Sequence, residues 1–426
     1  MLKRLISLVG VLLILMSSVS CARLQGMDLS GLGGKADLPS VVERMLERYS
    51  YYGYELDDEA LAKLIVLQYA EESGDKYAYY YNEKEYAELN ASNSGETQGI
   101  GITVTENKEY NCIEIISVMP NSPAISAGIK AGDLIVAVGI GDKAEKVSDI
   151  GYDIAMKKLQ GSAGTLCEFT AVRDEKFGET IEFSVLREKY ISSSVMYAVS
   201  AQDPTVGIVK ILEFDLTTPT QFESAMEELI AQGCKKFVYD VRNNPGGDLN
   251  SISAVLSFFY NEGDIIIRTR YRDESEKDME IRKCEPAEYS GAYAGCSIKK
   301  DNIGKYRKYP AAILANGNTA SAAELFTSGM KDYGLATVVG ETTYGKGCMQ
   351  SIVSLKSYGL PGAIKMTTAF YYPPLSDNYH GIGISPDKGY EVALSDTAEK
   401  VNVYSLLDEN QSLDNQLAAA ISALEK

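Results

Sequence analysis

The chain has 426 residues, too many for one compact core, so two or three domains are expected. Its hydrophobic (45%) and charged (23%) fractions are those of a soluble globular protein, and a net charge of −18 with no basic run argues against nucleic acid and anionic lipid as partners. Tryptophan is absent while tyrosine numbers 29, so tyrosine must supply much of the aromatic packing.

Residues 1–21 read as an export signal: Lys3 and Arg4, an apolar run from Leu5 to Met16, then small residues. The run is too short to span a bilayer comfortably. Ser18-Val-Ser-Cys21 resembles a lipobox, with Ser18 where a leucine is usual; Cys21 would then be lipidated and tether the protein to the membrane outside the cytoplasm. Ordinary cleavage nearby, releasing a secreted protein, is the alternative. Residues 22–95 hold a Gly-rich linker to residue 37 and then two helices. Leu38, Val41, Val42, Met45, Leu46 and Tyr49 keep helical spacing; Asp57 or Asp58 would cap a second helix carrying Leu61, Leu64, Ile65 and Tyr69. Such short helices need a partner surface, either the body of the protein or a second copy.

Residues 96–189 form a distinct β-rich module. Gly99-Ile100-Gly101-Ile102 precedes a strand and Ile113–Val118 is a second. Ser122-Pro-Ala-Ile-Ser-Ala-Gly128 leads through Asp133 into Leu134–Val138; a helix (Ile150–Leu159) and two strands (Cys167–Arg173, Thr180–Arg187) follow. This module resembles a PDZ domain. The resemblance implies that the Gly99–Ile102 loop offers backbone N–H groups to the terminal carboxylate of a peptide, which adds as a strand beside it. It also makes Arg173 a candidate sensor of the bound peptide.

Residues 190–426 alternate strand and helix. Val206–Ile211 is a strand; Thr218-Pro-Thr-Gln221 reads as a capping box opening a helix that Gly233 ends; Lys236–Val241 is the next strand. This βαβ unit predicts a parallel sheet with helices on its faces. Asn243-Asn-Pro-Gly-Gly247 follows at the carboxyl end of a strand, where open α/β sheets place their sites, and Gly246 is its first N–H donor after Pro245. Asp240 and Arg242 read as structural. Residues 268–309 are irregular, a small hairpin or lid in which Cys284 and Cys296 could pair. The remaining cysteines sit in apolar contexts as buried thiols. No zinc spacing is present and no cofactor is implied.

Ala311–Ala315 is a buried strand, Asn316–Thr319 a turn, and Ala322–Met330 an amphipathic helix, so Ser321 stands at a strand-to-helix turn. Taken alone it would be a helix cap. Gly340–Gly347 nearly spells a phosphate-binding loop, but Gly347 replaces the required Ser or Thr and a strand rather than a helix follows. His380 is the one histidine of the chain, an exposed loop residue beside Gly381–Asp387. A serine nucleophile without histidine needs another base, and a lysine serves when burial lowers its pKa from about 10.4. Lys346, between Gly345 and Gly347, is the candidate.

Asn318-Thr-Ala-Ser-Ala-Ala-Glu324 and Thr343-Tyr-Gly-Lys-Gly-Cys-Met-Gln350 resemble the two active-site motifs of the carboxy-terminal processing (tail-specific, S41) serine peptidases. Thr319 and Ala323 stand where that family often has serines. The resemblance implies Ser321 as nucleophile, Lys346 as general base, Gln350 as support for the lysine, and the amides of Gly246 and Ala322 as an oxyanion hole. It implies an α+β multidomain fold with N-terminal helices, a PDZ domain and an α/β core of ClpP/crotonase type, closed by the helix Asp414–Leu424. The function expected is an exported endopeptidase cleaving proteins with apolar carboxyl termini, and the family's use of its N-terminal region in dimerisation makes a homodimer an expectation. Two rivals remain: a catalytically silent lipoprotein adaptor that binds peptides, and an acyl-CoA enzyme on a crotonase core, against which export weighs.

Overall fold

The computed structural model describes residues 57–119, 121–173, 180–272, 275, 278–395 and 411–425. Residues to Ile65 form one unit and those from Val66 a second. Of the first, only the opening of helix α1 (Asp58–Ser73) is described; the Asp57 carboxylate caps it, accepting from Ala60 N at 2.8 Å. The signal, Cys21 and the helix expected from Leu38 lie outside the described residues.

In the second unit a short strand β1 (Tyr79–Tyr81) leads to helix α2 (Glu83–Asn93). The latter opens on a full capping box between Asn82 and Glu85. Next come β2 (Glu96–Gly99), β3 (Ile102–Asn107), β4 (Cys112–Val118), β5 (Leu134–Val138), β6 (Glu145–Lys146), α3 (Tyr152–Leu159), β7 (Leu166–Val172), β8 (Thr180–Leu186) and β9 (Glu188–Ile191). The antiparallel order is β3-β4-β5-β7-β8, with β6 on β5, and β2 and β9 make a separate ribbon. Period-2 alternation turns Ile113, Ile115, Ile135, Phe169 and Ala171 inward against Ala155 and Leu159 of α3. Strand β3 is at the edge of its sheet, so one side of it has no strand partner among the described residues.

The rest is built on the sheet β10-β11-β12-β15-β16: β10 (Val195–Val199), β11 (Val206–Ile211), β12 (Lys236–Asp240), β15 (Ala311–Ala315) and β16 (Thr337–Gly340). The last four run parallel. Helices α4 (Thr218–Ala231), α5 (Leu249–Ser257) and α6 (Ala322–Asp332) cover one face, and α7 (Asn415–Ala423) the other. Alternation assigns each strand residue to a face: Phe237, Tyr239 and Ile313 meet the three helices, while Val238, Ala312 and Leu314 meet Leu417, Ala420 and Ile421. Sheets of this kind are buried on both faces, which explains the continuous apolar runs of β11 and β15. The tyrosine-rich packing centres on Tyr239 and Tyr306 among Phe222, Phe258, Phe259 and Phe326. A further sheet joins β1, β13 (Ile265–Tyr271), β14 (Glu280–Lys283), β17 (Cys348–Ser354) and β18 (Ala363–Tyr372).

Three expectations change in detail. Thr218 opens no capping box: Asp215 Oδ1 accepts from Thr217 N and Thr218 N, while Gln221 instead holds the Ser192–Ser194 backbone. Cys284 and Cys296 do not pair; each is a separate buried thiol, pushed up to about 12 by burial and nearby carboxylates. His380 is half-buried rather than exposed, with its ring edge-on to Phe370 at 5.2 Å and Nδ1 buried without a hydrogen-bond partner among the described residues. Burial lowers its pKa. The irregular stretch does contain a hairpin, β13–β14, and β13 also pairs with β18.

Candidate active site

Strand β15 ends in the turn Asn316–Ala320, which is tied to the neighbouring strand's exit. Thr319 Oγ1 donates to Val241 O (2.9 Å), Ala320 N to Asn244 O (2.9 Å), and the Asn316 and Asn318 amides to Asn243 Oδ1. Ser321 then turns sharply into α6 with φ 57° and ψ −119°, a region that L residues other than glycine avoid. The strain presents its side chain at the head of the helix, half-buried rather than covered by the chain. The Asn243–Gly247 turn approaches closely: a Cβ on Gly246 would lie 2.6 Å from Ser321 Cβ and 2.9 Å from Ala322 N. Only glycine fits there, and its φ of +109° requires glycine as well.

Ala322 N–H begins α6 and has no intrahelical acceptor. Gly246 N–H points to the Asn244 side chain, donating to Oδ1 at 2.8 Å. The two expected oxyanion donors are thus brought together, one of them already occupied by a side chain.

Glu324, one turn into α6 and fully buried, organises the second half of the site. Its Oε2 accepts from Ser321 N (2.9 Å) and from Lys346 N (2.7 Å); its Oε1 accepts from Thr343 Oγ1 and Gly345 N, both 2.6 Å. One carboxylate oxygen therefore fixes the backbones of both candidate nucleophile and candidate base. Sequence reasoning missed this residue, although a Glu three places after a Ser at a helix start was its signal. The glycines around Lys346 are explained by the closing loop: a Cβ on Gly345 would meet Gly383 N at 2.9 Å, and one on Gly347 would meet Asn378 Nδ2 at 2.7 Å.

Lys346 is half-buried, and its Nζ makes no hydrogen bond or ion pair among the described residues. Its ammonium lies 4.7 Å from the ring centroid of Tyr77. Burial lowers its pKa from the ordinary 10.5; Lys365 and Lys76 act in the same sense, Cys348 and Glu324 oppose. Its carbonyl accepts from the Tyr371 hydroxyl at 2.6 Å. Gln350 makes no hydrogen bond to the lysine nitrogen among the described residues: its Nε2 reaches Cys348 Sγ (3.2 Å) and Thr367 Oγ1 (3.3 Å).

A cleft of about 860 Å³ joins the two halves of the second unit. The Gly99–Ile102 loop with Val104, Met156 and Leu159 lines one side, and Leu212, Glu213, Asn243 and Pro245 the other. The groove beside the open edge of β3 is thus continuous with the turn that approaches Ser321.

The sequence model of peptidase family S41 matches residues 205–389, and that of the PDZ domain residues 89–167. A carboxy-terminal-processing protease of Bartonella bacilliformis is 28% identical over 76% of this chain and 70% of its own length. A carboxyl-terminal-processing protease of Picosynechococcus is 28% identical over 74% of this chain and 69% of its own. The chain carries a peptidase family S41 domain and a PDZ domain. A solved structure named for an S41 protease of Bacteroides fragilis shares the fold at a TM-score of 0.59, with 14% identity over 92% of this chain and 98% of that one. This S41 chain is accordingly a serine protease of mixed helix and sheet, with a PDZ domain joined to its peptidase domain. Arg173, just past β7 and beyond the residues matched to the PDZ model, is engaged locally: Nε and a terminal nitrogen donate to Asp133 at 2.7 and 2.8 Å, and Gly128 O accepts a further bond. A buried ion network, Lys210–Asp240–Arg242–Asp414, anchors the base of the Asn243–Gly247 turn to α7.

Proposed function

We propose that this protease is a Ser-Lys endopeptidase that captures substrates by their carboxyl-terminal tails. The observation that carries this reading is the single Glu324 oxygen that accepts from both Ser321 N and Lys346 N. It holds a strained serine and a lysine of lowered pKa side by side, in a chain whose half-buried histidine contacts Phe370 rather than the serine. Lys346, neutral, takes the Ser321 proton as Oγ attacks the peptide carbonyl, and passes it to the leaving amine. Ala322 N–H and Gly246 N–H donate to the oxyanion, the latter shifting from Asn244 as charge develops. Gln350 acts on the lysine through Cys348 and the β17 backbone. The substrate tail adds to the free edge of β3, its carboxylate at Gly99–Ile102, and the chain upstream passes along the shared cleft. Apolar tails suit a groove lined by Val104, Met156 and Leu159. Export by residues 1–21, with a lipid on Cys21, would hold this work at the extracytoplasmic face of the cell membrane. Exposed Leu67 and Tyr69 of α1 offer a surface for a second copy.

The test is cleavage of an unfolded protein with an apolar carboxyl terminus by the wild type, Ser321→Ala and Lys346→Ala. Activity in the wild type alone is expected. Cleavage retained by either variant removes that residue from the mechanism.

A further inference from the structure

Strand β1 is preceded by a turn, residues 74–78, that lies against the Lys346 loop. Asp75 clamps it to β18: Oδ2 accepts from Thr367 N and Oδ1 from Thr367 Oγ1, both at 2.8 Å. The same Asp75 accepts from Tyr77 N (3.1 Å) and, through its carbonyl, from Ala78 N (3.1 Å). Beyond Ala78, Tyr79–Tyr81 pair with Ala363–Lys365 of β18. The backbone on each side of Tyr77 is therefore fixed to the strand that neighbours β17, and Gln350 reaches the same Thr367 hydroxyl. Between these anchors the Tyr77 ring stands over the Lys346 ammonium, 4.7 Å from centroid to Nζ. Its own hydroxyl is closed off from solvent.

We propose that Tyr77 is a positioning residue for the catalytic lysine: its ring is the wall that orients Lys346 Nζ and keeps water from it. The proposal deepens the Ser-Lys reading and rests on it. An aromatic wall has two opposed effects on an amine. It excludes water, which disfavours the ammonium, and it offers a negative face, which favours it. Exclusion is taken as the larger effect: burial is the largest influence on Lys346, and the Tyr77 ring is part of what surrounds it. The other charged or titratable groups facing it are Lys76 of the same turn, Lys365 of β18, Glu324 of α6 and Cys348 of β17. Lys76 Nζ sits 5.1 Å from the Tyr77 ring centroid and 5.4 Å from that of Tyr344, so a second ammonium lies near the same ring.

The test is the pH profile of kcat/KM on an internally quenched peptide with an apolar tail, using full-length protein. The base acts neutral, so activity falls as pH drops through the Lys346 pKa. Tyr77→Ala admits water, raises that pKa and moves the acid limb to higher pH, with kcat falling and KM held. Each unit of movement is about tenfold in rate below the limb. Tyr77→Leu keeps the cover without the negative face and moves the limb to lower pH, while Tyr77→Phe restores the wild-type profile. Should Tyr77→Ala fail to fold, the Leu and Phe profiles decide alone. Superimposable profiles overturn the proposal, as does a Tyr77→Ala enzyme more active at every pH, for the ring would then hold the lysine off the serine. Cleavage surviving Lys346→Ala overturns the dyad and this proposal together; a dead Lys346→Ala beside unshifted Tyr77 profiles overturns this proposal only.

Discussion

At the scale of residues, the site depends on a few atoms that admit no substitute. Ser321 holds a strained backbone because three groups over-determine it: the Asn316–Ala320 turn bound to Asn243 and Asn244, the helix behind it, and the Glu324 carboxylate. Glu324 receives four donors, and an amide in its place offers one acceptor oxygen and turns two donors against donors. Glu324→Gln is therefore expected to cost about 3 kcal/mol of stability and to lower kcat by about 100-fold with KM little changed. Urea unfolding and steady-state kinetics measure both. A variant with wild-type kcat and stability would show that the shared oxygen does not assemble the site.

At the scale of elements, the β12 exit is held by charge as well as by packing. Burial alone would raise the Asp240 pKa, but Arg242 and Lys210 overcome it and hold the carboxyl well below the ordinary range. A depressed carboxyl contributes stability that is present above its unfolded pKa of about 3.9 and is lost as pH falls toward the folded value. Arg242→Met leaves Asp414 and part of Asp240 uncompensated and is expected to cost about 3–5 kcal/mol near pH 7. Its acid-side loss below about pH 4 should be shallower than in the wild type. Unfolding curves from pH 7 to pH 3 check both signs; equal stability at pH 7 would mean that the network is dispensable. Much at this scale was legible in sequence. Short apolar runs marked β11, β12 and β15, helical spacing marked α4 and α6, and the glycine-flanked Lys346 stood out together with Ser321. What escaped depends on contacts far apart in the chain. Asp75 meets Thr367 across 292 residues, so no local pattern could bring Tyr77 to Lys346. Gln350 could be placed on β17 but not aimed, because its direction is set by Thr367 on the partner strand. Thr218 looked like a cap because its spacing to Gln221 was right, yet Asp215, three residues earlier, had the better oxygen.

At the scale of the whole second unit, the PDZ groove and the peptidase turn share one cleft, and on the proposed reading tail capture and cleavage are successive contacts of one extended chain. Met156 lines the groove without belonging to the Ser321 turn. Met156→Glu is expected to raise KM about tenfold for a protein with an apolar tail, through the cost of desolvating a charge, and to leave cleavage of a short tailless peptide unchanged. Equal effects on both substrates would place the tail elsewhere. The most direct test of the central claim is to acid-quench the protein during turnover and locate the acyl group by mass spectrometry. The account predicts a substrate acyl mass on the peptide that contains Ser321, absent from Ser321→Ala. Turnover that proceeds with the acyl group on another residue, or with none trapped under conditions showing a product burst, would contradict it.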